Sequence, residues 1–487
     1  MQDIGEDRNE YAGLEKGVEM TRDDRIHFVG IGGSGMSGIA KVLLEMGYRV
    51  SGSDIKTSEA IRRLKRLGAK IYMGHAAENL GDADIIVISS AIPQSNPEWV
   101  EAKRRHITVM QRAEMLARIM EEHTGIAVAG THGKTTTTSM IALLLERCHQ
   151  DPTVIIGGEL NDIGGNAKLG CGRVAVAEAD ESDGSLVNLN PVIAVITNIE
   201  ADHLDYYKGI EDIIGTFQQF ISRLPENGNA IICIDDKNAA SLMKENDPRF
   251  ISYGFSSDAD FQAREARFFK NRSMFECWHR GSLLGEVKLN VPGRHNIANA
   301  LAALAVGVLL ELPFKDMASA LACFRGVQRR FHVKGSINDI TVVDDYAHHP
   351  SEIKATLQAA REGWKHRLVV AFQPHRYSRT KLLCNDFGQA FNDADVVIVT
   401  DIYSAGEAPI DGISARNVAD LVSRHNPGKD IRYLPSQVDV LNALEEMVEP
   451  GDMVFTMGAG DIWLLGEELV KYLKAHTGEE EVLAVVR

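Results

Sequence analysis

Gly130-Thr131-His132-Gly133-Lys134-Thr135-Thr136 is the stretch whose reading decides how this chain folds. The apolar run Ile126-Ala127-Val128-Ala129 before it reads as a strand, and Thr137 to Arg147 after it reads as a helix. A glycine turn between the two aims backbone N–H groups at a phosphate, with a helix N-terminus behind them. Lys134 adds a point charge for β- and γ-phosphates, and Thr135 a hydroxyl for Mg²⁺. The loop is shorter than G-x-x-x-x-G-K-[ST], because Val128 stands where the first glycine would be. A turn that needs glycine only for its backbone is the alternative, and the strand and helix flanks argue against it.

Upstream, Ile26-His27-Phe28-Val29 reads as a buried strand, followed by Gly30-Ile31-Gly32-Gly33-Ser34-Gly35. A helix pattern from Met36 to Met46 and a strand from Tyr48 to Asp54 complete a βαβ unit. It carries G-x-G-x-x-G, with an acid, Asp54, roughly twenty residues on. Three readings fit: a dinucleotide such as NAD, the diphosphate of a UDP group, or a turn that only packs helix on strand. Further βα alternation follows at Lys70-Ile71-Tyr72 and at Ala83 to Ser90. Ser89-Ser90-Ala91-Ile92-Pro93 then lies at the carboxyl edge of a parallel strand, where α/β sheets place ligands. Asn96-Pro97-Glu98 opens the next helix, and Gln111 to Glu122 reads as a helical connection to a second domain. Residues 1–24 show no periodicity and read as a mobile lead-in.

Downstream, Val154 to Gly158 leads into a Gly/Asn-rich loop, Asn161 to Gly172, flexible enough to close over a substrate. The strand from Arg173 ends in Glu178-Ala179-Asp180-Glu181-Ser182-Asp183, four acids within six residues. They repel one another unless solvated or neutralised by a cation. Another strand, Val192 to Ile196, ends in Thr197-Asn198-Ile199-Glu200-Ala201-Asp202-His203-Leu204-Asp205. His203 is either a surface histidine or a metal ligand through its neutral imidazole. Two acidic strand ends beside a phosphate loop point to a Mg²⁺–nucleotide site. Pro292-Gly293-Arg294-His295-Asn296 introduces a helix from Ile297 to Leu310, with Asn296 and Asn299 on one face near its start. The pattern favours capping for these amides; reading the edge of a base is the alternative.

After Gly326-Val327-Gln328-Arg329-Arg330-Phe331 the pattern resets. Ile340 to Val343 is a strand ending at Asp344-Asp345-Tyr346-Ala347-His348-His349-Pro350. Arg367 to Phe372 is another, ending at Gln373-Pro374-His375-Arg376-Tyr377-Ser378-Arg379. Val396 to Asp401 and Met453 to Met457 continue a third α/β domain with a parallel sheet. His375, Arg376 and Arg379 suit a carboxylate or phosphate, or form a solvated basic turn.

The totals bound these readings. The 487 residues exceed one ordinary core, and 44% hydrophobic with 25% charged content is that of a globular protein. A formal net charge of −16 argues against nucleic-acid binding. The six cysteines form no C-x-x-C pair, so zinc and a disulfide framework are not expected. Scattered thiols, an acid-rich start unlike a secretory signal and an apolar stretch, Ala300 to Leu310, too short for a bilayer point to a cytoplasmic protein without membrane insertion.

Six of these motifs, in order, resemble the Mur ligase family from about residue 25 to near the C-terminus. They are the phosphate loop, the Glu178–Asp183 and Thr197–His203 runs, Gly293-Arg294-His295-Asn296, Asp344 to Pro350, and Gln373 to Tyr377. The resemblance implies three domains: a Rossmann-like UDP-sugar domain over 25–122, a P-loop-type ATP domain over 123–330, and a Rossmann-like α/β domain over 331–487 that binds the amino acid and closes on ATP. Gly30, Gly32, Gly33, Ser34 and Gly35, with Asp54, Ser89 and Ser90, would then hold UDP-sugar, not NAD. Gly130 to Thr136 would hold the ATP phosphates, Asn296 and Asn299 the adenine, while Arg330 and Asp345 reach the nucleotide from the hinge and the third domain.

The reaction implied is stepwise. The lactyl carboxylate of UDP-N-acetylmuramate attacks the γ-phosphorus of ATP, and the amine of L-alanine displaces phosphate from the acyl phosphate. Both first reactants are anions, so positive charge must bring them together. The resemblance assigns this to Lys134 and two Mg²⁺ ions, one at Thr135 and Glu178, the other at Glu178 and His203. Tyr346, His348, His375, Arg376 and Arg379 resemble the positions that take the amino acid and the reacting carboxylates, with His348 and Arg376 among the catalytic residues. Sister ligases carry a carbamylated lysine some fifteen residues after the metal-site histidine; here Gln218 stands there, as expected for alanine-adding members. Ser89-Ser90-Ala91-Ile92-Pro93 also resembles that branch. The rivals are a recycling ligase that adds a whole tripeptide, a folylpolyglutamate-type ligase, and a UDP- or nucleotide-sensing module without turnover.

Overall fold

The computed structural model describes residues 20–160, 165–204 and 206–477. The expected lead-in therefore lies outside them up to residue 19, as do residues 161–164 of the Gly/Asn-rich loop, and Asp205. The chain forms two compact units, Met1–Met115 and Leu116–Arg487.

The first unit holds a five-stranded parallel sheet. In chain order its strands lie 3-2-1-4-5, the doubly wound arrangement. Arg25–Val29 and Ile85–Ile88 are its inner pair, and Ile26, Phe28, Val29 and all four residues of Ile85–Ile88 are buried. Such continuous apolar runs are what a sheet covered on both faces demands. Strand order reverses between these two strands, so the crevice beyond their carboxyl ends receives the Gly30 loop and Ser89-Ser90. The following helix, Ser34–Glu45, starts two residues before the expected Met36.

The second unit is built on two sheets. In the ten-stranded one, Thr124–Ala129 lies between Val174–Glu178 and Ile193–Ile196, all parallel, with Val128 opposite Glu178 and Ala129 opposite Ile196. That register delivers the phosphate loop, the Glu178 cluster and the Thr197–His203 run to one sheet edge. The helix Lys134–Arg147 is buried from Thr136 to Leu145, and packs against Arg294–Leu309, buried over most of its length. Three antiparallel strands, Phe261–Phe269, Arg272–His279 and Ser282–Leu289, extend this sheet beyond what the motifs foretell.

The described part of the Asn161–Gly172 segment corrects the expectation of a closing loop. Gly165–Lys168 is a strand antiparallel to Thr153–Leu160, and Lys168 Nζ pairs with Glu146 and Asp151, each at 2.7 Å. Cys171 N donates to Asp151 and Gly170 N to Thr153 Oγ1. These bonds fasten the segment to the protein.

The six-stranded sheet contains the expected Ile340–Asp345, Leu368–Phe372, Val396–Val399 and Met453–Met457, all parallel. Its edge strand His332–Ile337 runs antiparallel, so the sheet is mixed.

Candidate active site

Backbone geometry explains the glycines of the phosphate loop. Gly130 sits at φ +137°, and a Cβ there would stand 2.0 Å from Thr197 Oγ1. Gly133, at φ +82°, would place one 3.0 Å from Asn299 Oδ1. The loop is pinned to the neighbouring strand end: Thr131 N donates to Asn198 O at 3.0 Å, and His132 N to Asn198 Oδ1 at 2.8 Å. Lys134 opens the helix, its Nζ donating to Gly130 O at 2.7 Å and Glu181 Oε1 at 2.9 Å. Burial alone would lower the lysine pKa, but Glu181, Asp180 and Glu178 outweigh it and raise it. Burial pushes the Glu181 carboxyl up to about 7 even against Lys134.

Thr135 Oγ1 donates to both oxygens of Glu178, at 3.0 and 3.1 Å, and Gly157 N donates to Glu178 Oε2 at 2.8 Å. Thr136 is buried in the first turn. His203 Nε2 lies 3.8 Å from Glu181 Oε1 and 3.8 Å from Asp202 Oδ2. Burial lowers its pKa, which favours the neutral imidazole.

Between the phosphate loop and the third-sheet segments lies a cavity of about 210 Å³. His295, Asn296, Asn299, Phe324, Val327 and Phe331 line it together with Gly133, Thr135 and Thr136 of the phosphate loop and its helix. Apolar walls, two amides and a phosphate cradle in one cavity suit a nucleotide. The capping expected from the pattern does not hold. Gly293 is the N-cap, so Asn296 falls inside the first turn, and its Nδ2 donates to Pro292 O at 2.7 Å. Asn299 Oδ1 accepts from Thr137 Oγ1 at 3.0 Å.

Arg330 and Asp345 also line this cavity. Arg330 Nη1 donates to Glu352 Oε1 at 3.0 Å, while Asp345 accepts from Phe331 N and Ala347 N, each at 2.8 Å. Burial pushes Asp345 up to about 6 in spite of Arg330. His132 is held by two carboxylates, Glu352 at 3.3 Å and Glu200 at 3.6 Å, and its ring lies 4.9 Å from that of His349. Burial would lower its pKa, but Glu352 and Glu200 lift it to about 9; His349, buried and facing charged His132, is pushed down to about 4. Ser351 Oγ donates to Glu200, a further tie between the two sheets.

The basic turn faces the same edge. Tyr346 N donates to Arg329 O at 2.7 Å, and its ring carries the Arg329 and Arg330 guanidiniums. His348 Nδ1 lies 3.0 Å from Tyr346 O and 3.2 Å from Glu352, with its ring 5.7 Å from that of His375. Burial, then the charges of His348, Arg379 and Arg376, push His375 down to about 3. Arg379 Nη1 lies 3.2 Å from His375 Nδ1, and its Nη2 pairs with Asp202 at 3.2 Å. Arg376 has φ +68° and its Nε stands 4.0 Å from Glu407.

The first unit keeps its own group. Asp54 accepts from Gly32 N at 2.8 Å, Gly30 N donates to Ser53 O at 2.8 Å, and Ile92 N to Ser89 O at 3.0 Å. Gly33 caps the helix that Ser34 and Gly35 begin, and Ser90 is exposed. Residues not assigned a site role from sequence include Glu181, Glu200, Asp202, Ser351 and Glu352. The first three stand inside quoted acidic runs, and Glu352 completes a capping box with His349.

Known proteins resemble this chain along nearly its whole length. Residues 25–124 match the Mur ligase family catalytic domain, 128–307 the Mur ligase middle domain, and 329–460 the Mur ligase glutamate ligase domain. The UDP-N-acetylmuramate–L-alanine ligase of Pelotomaculum thermopropionicum is 54% identical over 456 residues, covering 93% of this chain and 99% of that protein. The protein of the same name from Geobacter sp. strain M21 is 55% identical, covering 93% and 98%. The crystal structure of UDP-N-acetylmuramate–alanine ligase MurC from Thermotoga maritima superposes with a TM-score of 0.78 at 30% identity, covering 93% and 99%. A murein peptide ligase from Psychrobacter arcticus shares the fold, with a TM-score of 0.66 at 24% identity.

Proposed function

The chain belongs to the Mur ligase family, and from that premise we infer that it joins L-alanine to the lactyl carboxylate of UDP-N-acetylmuramate in an ATP-dependent ligase reaction of peptidoglycan precursor synthesis. The observation that carries the choice of substrate is the 54–55% identity, over 93% of the chain, to relatives bearing that name. Among solved structures, the murein peptide ligases are the more distant counterparts, at 24% and 28% identity against 30% for the alanine ligase. We place the domain boundaries after residues 122 and 330, and the reaction in the cytoplasm. No described helix is long and apolar enough to cross a membrane.

The geometry supports a set of residue roles. Lys134 stands at the start of the helix where the γ-phosphate of ATP would lie, and neutralises charge as the carboxylate oxygen bonds to phosphorus and ADP leaves. We assign Asn296 and Asn299, which line the cavity, to the adenine, with Arg330 and Asp345, in the same lining, reaching the nucleotide. The Thr135 hydroxyl and Glu178 carboxylate, side by side, are hard oxygen donors of the kind Mg²⁺ takes, so the residues fit that ion. We assign a first Mg²⁺ to Thr135 and Glu178 and a second to Glu178 and His203. Bound there, Mg²⁺ supplies charge neutralisation between the two anions. His348, His375, Arg376 and Arg379 orient the carboxylate of alanine, whose amine attacks the acyl carbon as phosphate departs.

Phosphate release that requires ATP, UDP-N-acetylmuramate and L-alanine together tests this reading. A panel with glycine, L-serine and the murein tripeptide sets the amino-acid preference. Turnover with the tripeptide but not with alanine would overturn the assignment.

A further inference from the structure

A second cavity, of about 430 Å³, opens on the other side of the segment that joins the central sheet to the third. Arg147, Arg325 and His332 line it with the amides of Asn290 and Gln328, and no carboxylate takes part in the lining. Among the described residues neither Arg147 nor Arg325 has an ion-pair or hydrogen-bond partner. Two unpaired guanidiniums in one concave site run against the −16 charge of the chain. Arg147 closes the helix Lys134–Arg147, where a cation complements the helix dipole. That explanation does not extend to Arg325, which sits in irregular chain.

The joining segment has two faces. Gly326 and Val327 line both cavities, Arg330 and Phe331 face the nucleotide cavity, and Gln328 and His332 face the basic one. Its backbone is unusual: Gly326, Arg329 and Phe331 have φ of +86°, +60° and +46°. Left-handed conformations at arginine and phenylalanine persist only where the surroundings impose them. Here Arg329 Nη2 donates to Gly458 O at 2.7 Å and to Gly460 O at 3.1 Å, strapping the segment to the third sheet.

We propose that the Arg147–Arg325 cavity binds a small multivalent oxyanion, a phosphate ester or a polycarboxylate, and that this binding is coupled through residues 326–331 to the nucleotide cavity. A planar guanidinium pairs with two oxygens of either group, which two lysines would do less selectively. The helix Lys134–Arg147 is a second connection, since it begins at the phosphate loop and ends in the basic cavity. The coupling rests on the nucleotide reading of the first cavity; the anion site does not.

The test is calorimetry on the full chain, with and without a saturating non-hydrolysable ATP analogue and Mg²⁺. Inorganic phosphate is titrated in one arm and tricarballylate in the other, at constant ionic strength. With the analogue bound, one arm shows a saturable 1:1 site. In the Arg147→Gln/Arg325→Gln variant its affinity falls at least about tenfold, the loss of a bidentate contact, while the basal ligase rate is unchanged. The tighter arm identifies the ligand class. The analogue Kd shifts on anion binding by the same factor as the anion Kd shifts on analogue binding. Absence of saturable binding in both arms, or binding undiminished in the variant, overturns the site. An intact site with an unchanged analogue Kd overturns the coupling. Failure of the analogue to bind overturns the nucleotide reading alone, because the nucleotide-free titrations judge the anion site separately.

Discussion

Arg379 and Asp202 meet at 3.2 Å with side chains only 11% and 12% exposed, joining the basic turn of the third sheet to the acidic loop of the central one. Arg379 also reaches His375 at 3.2 Å, so one guanidinium fork spans both partners. Lysine offers a single point charge and cannot span them. Arg379→Lys is therefore expected to lower kcat/KM for alanine by about tenfold or more, because it loses the fork geometry. Affinity for an ATP analogue, measured by calorimetry, should move less than about twofold. Equal losses for both substrates would reject the amino-acid role.

Lys134 and Glu181 form a buried pair in which the carboxyl already sits at about 7. When Lys134→Ala removes the cation, Glu181 has an inexpensive escape, since it takes up a proton. The fold should survive, with an unchanged circular dichroism spectrum. The ligase rate should fall by roughly a thousandfold, the scale of losing one group that neutralises transition-state charge. A near-normal rate of product formation would overturn the assignment of Lys134 to the transferring phosphate.

Motif-bearing strand ends were legible because each lies on a continuous apolar run that stops at a glycine or a polar residue. The run Ile126 to Arg147 shows strand, turn and helix in direct succession, and the parallel register did the rest. The meander Phe261–Phe269, Arg272–His279 and Ser282–Leu289 was not legible. Its strands are half exposed and interrupted by charges such as Arg264, Glu265 and Arg267, which blur the alternation. Within the site, spacing could place Asn296 and Asn299 on one helix face, but the start of the helix at Arg294 decides what their amides do. Pairings such as Lys134 with Glu181 and Arg379 with Asp202 depend on rotamers and on how two sheets approach, which a linear pattern does not encode.

The His132 cluster sets a pH dependence of stability. His132, raised from 6.5 to about 9, contributes stability that is fully present below pH 6.5 and is lost as pH rises through about 9. His349, lowered from 6.5 to about 4, has the opposite sign: its contribution is lost as pH falls from 6.5 through about 4. Thermal midpoints measured from pH 4 to 10 should peak near 6.5 as a result. His132→Gln keeps a hydrogen-bonding side chain but removes the proton, so it should flatten the alkaline limb by an amount on the order of 3 kcal/mol. An alkaline limb as steep as that of the unmodified protein would reject the protonated state of His132.

Arg376 combines a strained backbone with a half-exposed side chain. At φ +68° and ψ 141°, a residue other than glycine is retained against a cost on the order of 1–3 kcal/mol. Arg376→Ala is therefore expected to raise KM for alanine by tenfold or more, as loss of a charged carboxylate contact does. The thermal midpoint and KM for ATP should stay close to their starting values. Arg376→Gly should be at least as stable as the alanine variant, because it relieves the backbone, yet no better with alanine. Unchanged alanine kinetics in both variants would remove Arg376 from the site.

In the first unit two adjacent glycines separate packing from ligand approach. A Cβ on Gly32 would stand 2.8 Å from Asp54 Oδ2 and 2.9 Å from Ile61 Cδ1, so Gly32→Ala must displace its neighbours. Gly33 has an ordinary φ of −62°, and a Cβ there would meet nothing nearer than Gly30 O at 3.5 Å. The protein itself therefore tolerates Gly33→Ala, and the melting temperature of that variant should not change. A diphosphate seated on the helix N-terminus, however, needs the backbone bare at this position. Gly33→Ala should accordingly raise KM for UDP-N-acetylmuramate by about tenfold, roughly 1.4 kcal/mol of lost binding. KM values for ATP and alanine should not move. If Gly33→Ala binds the UDP-sugar normally while Gly32→Ala loses both stability and binding, the loop serves packing alone, and the diphosphate lies elsewhere on the unit.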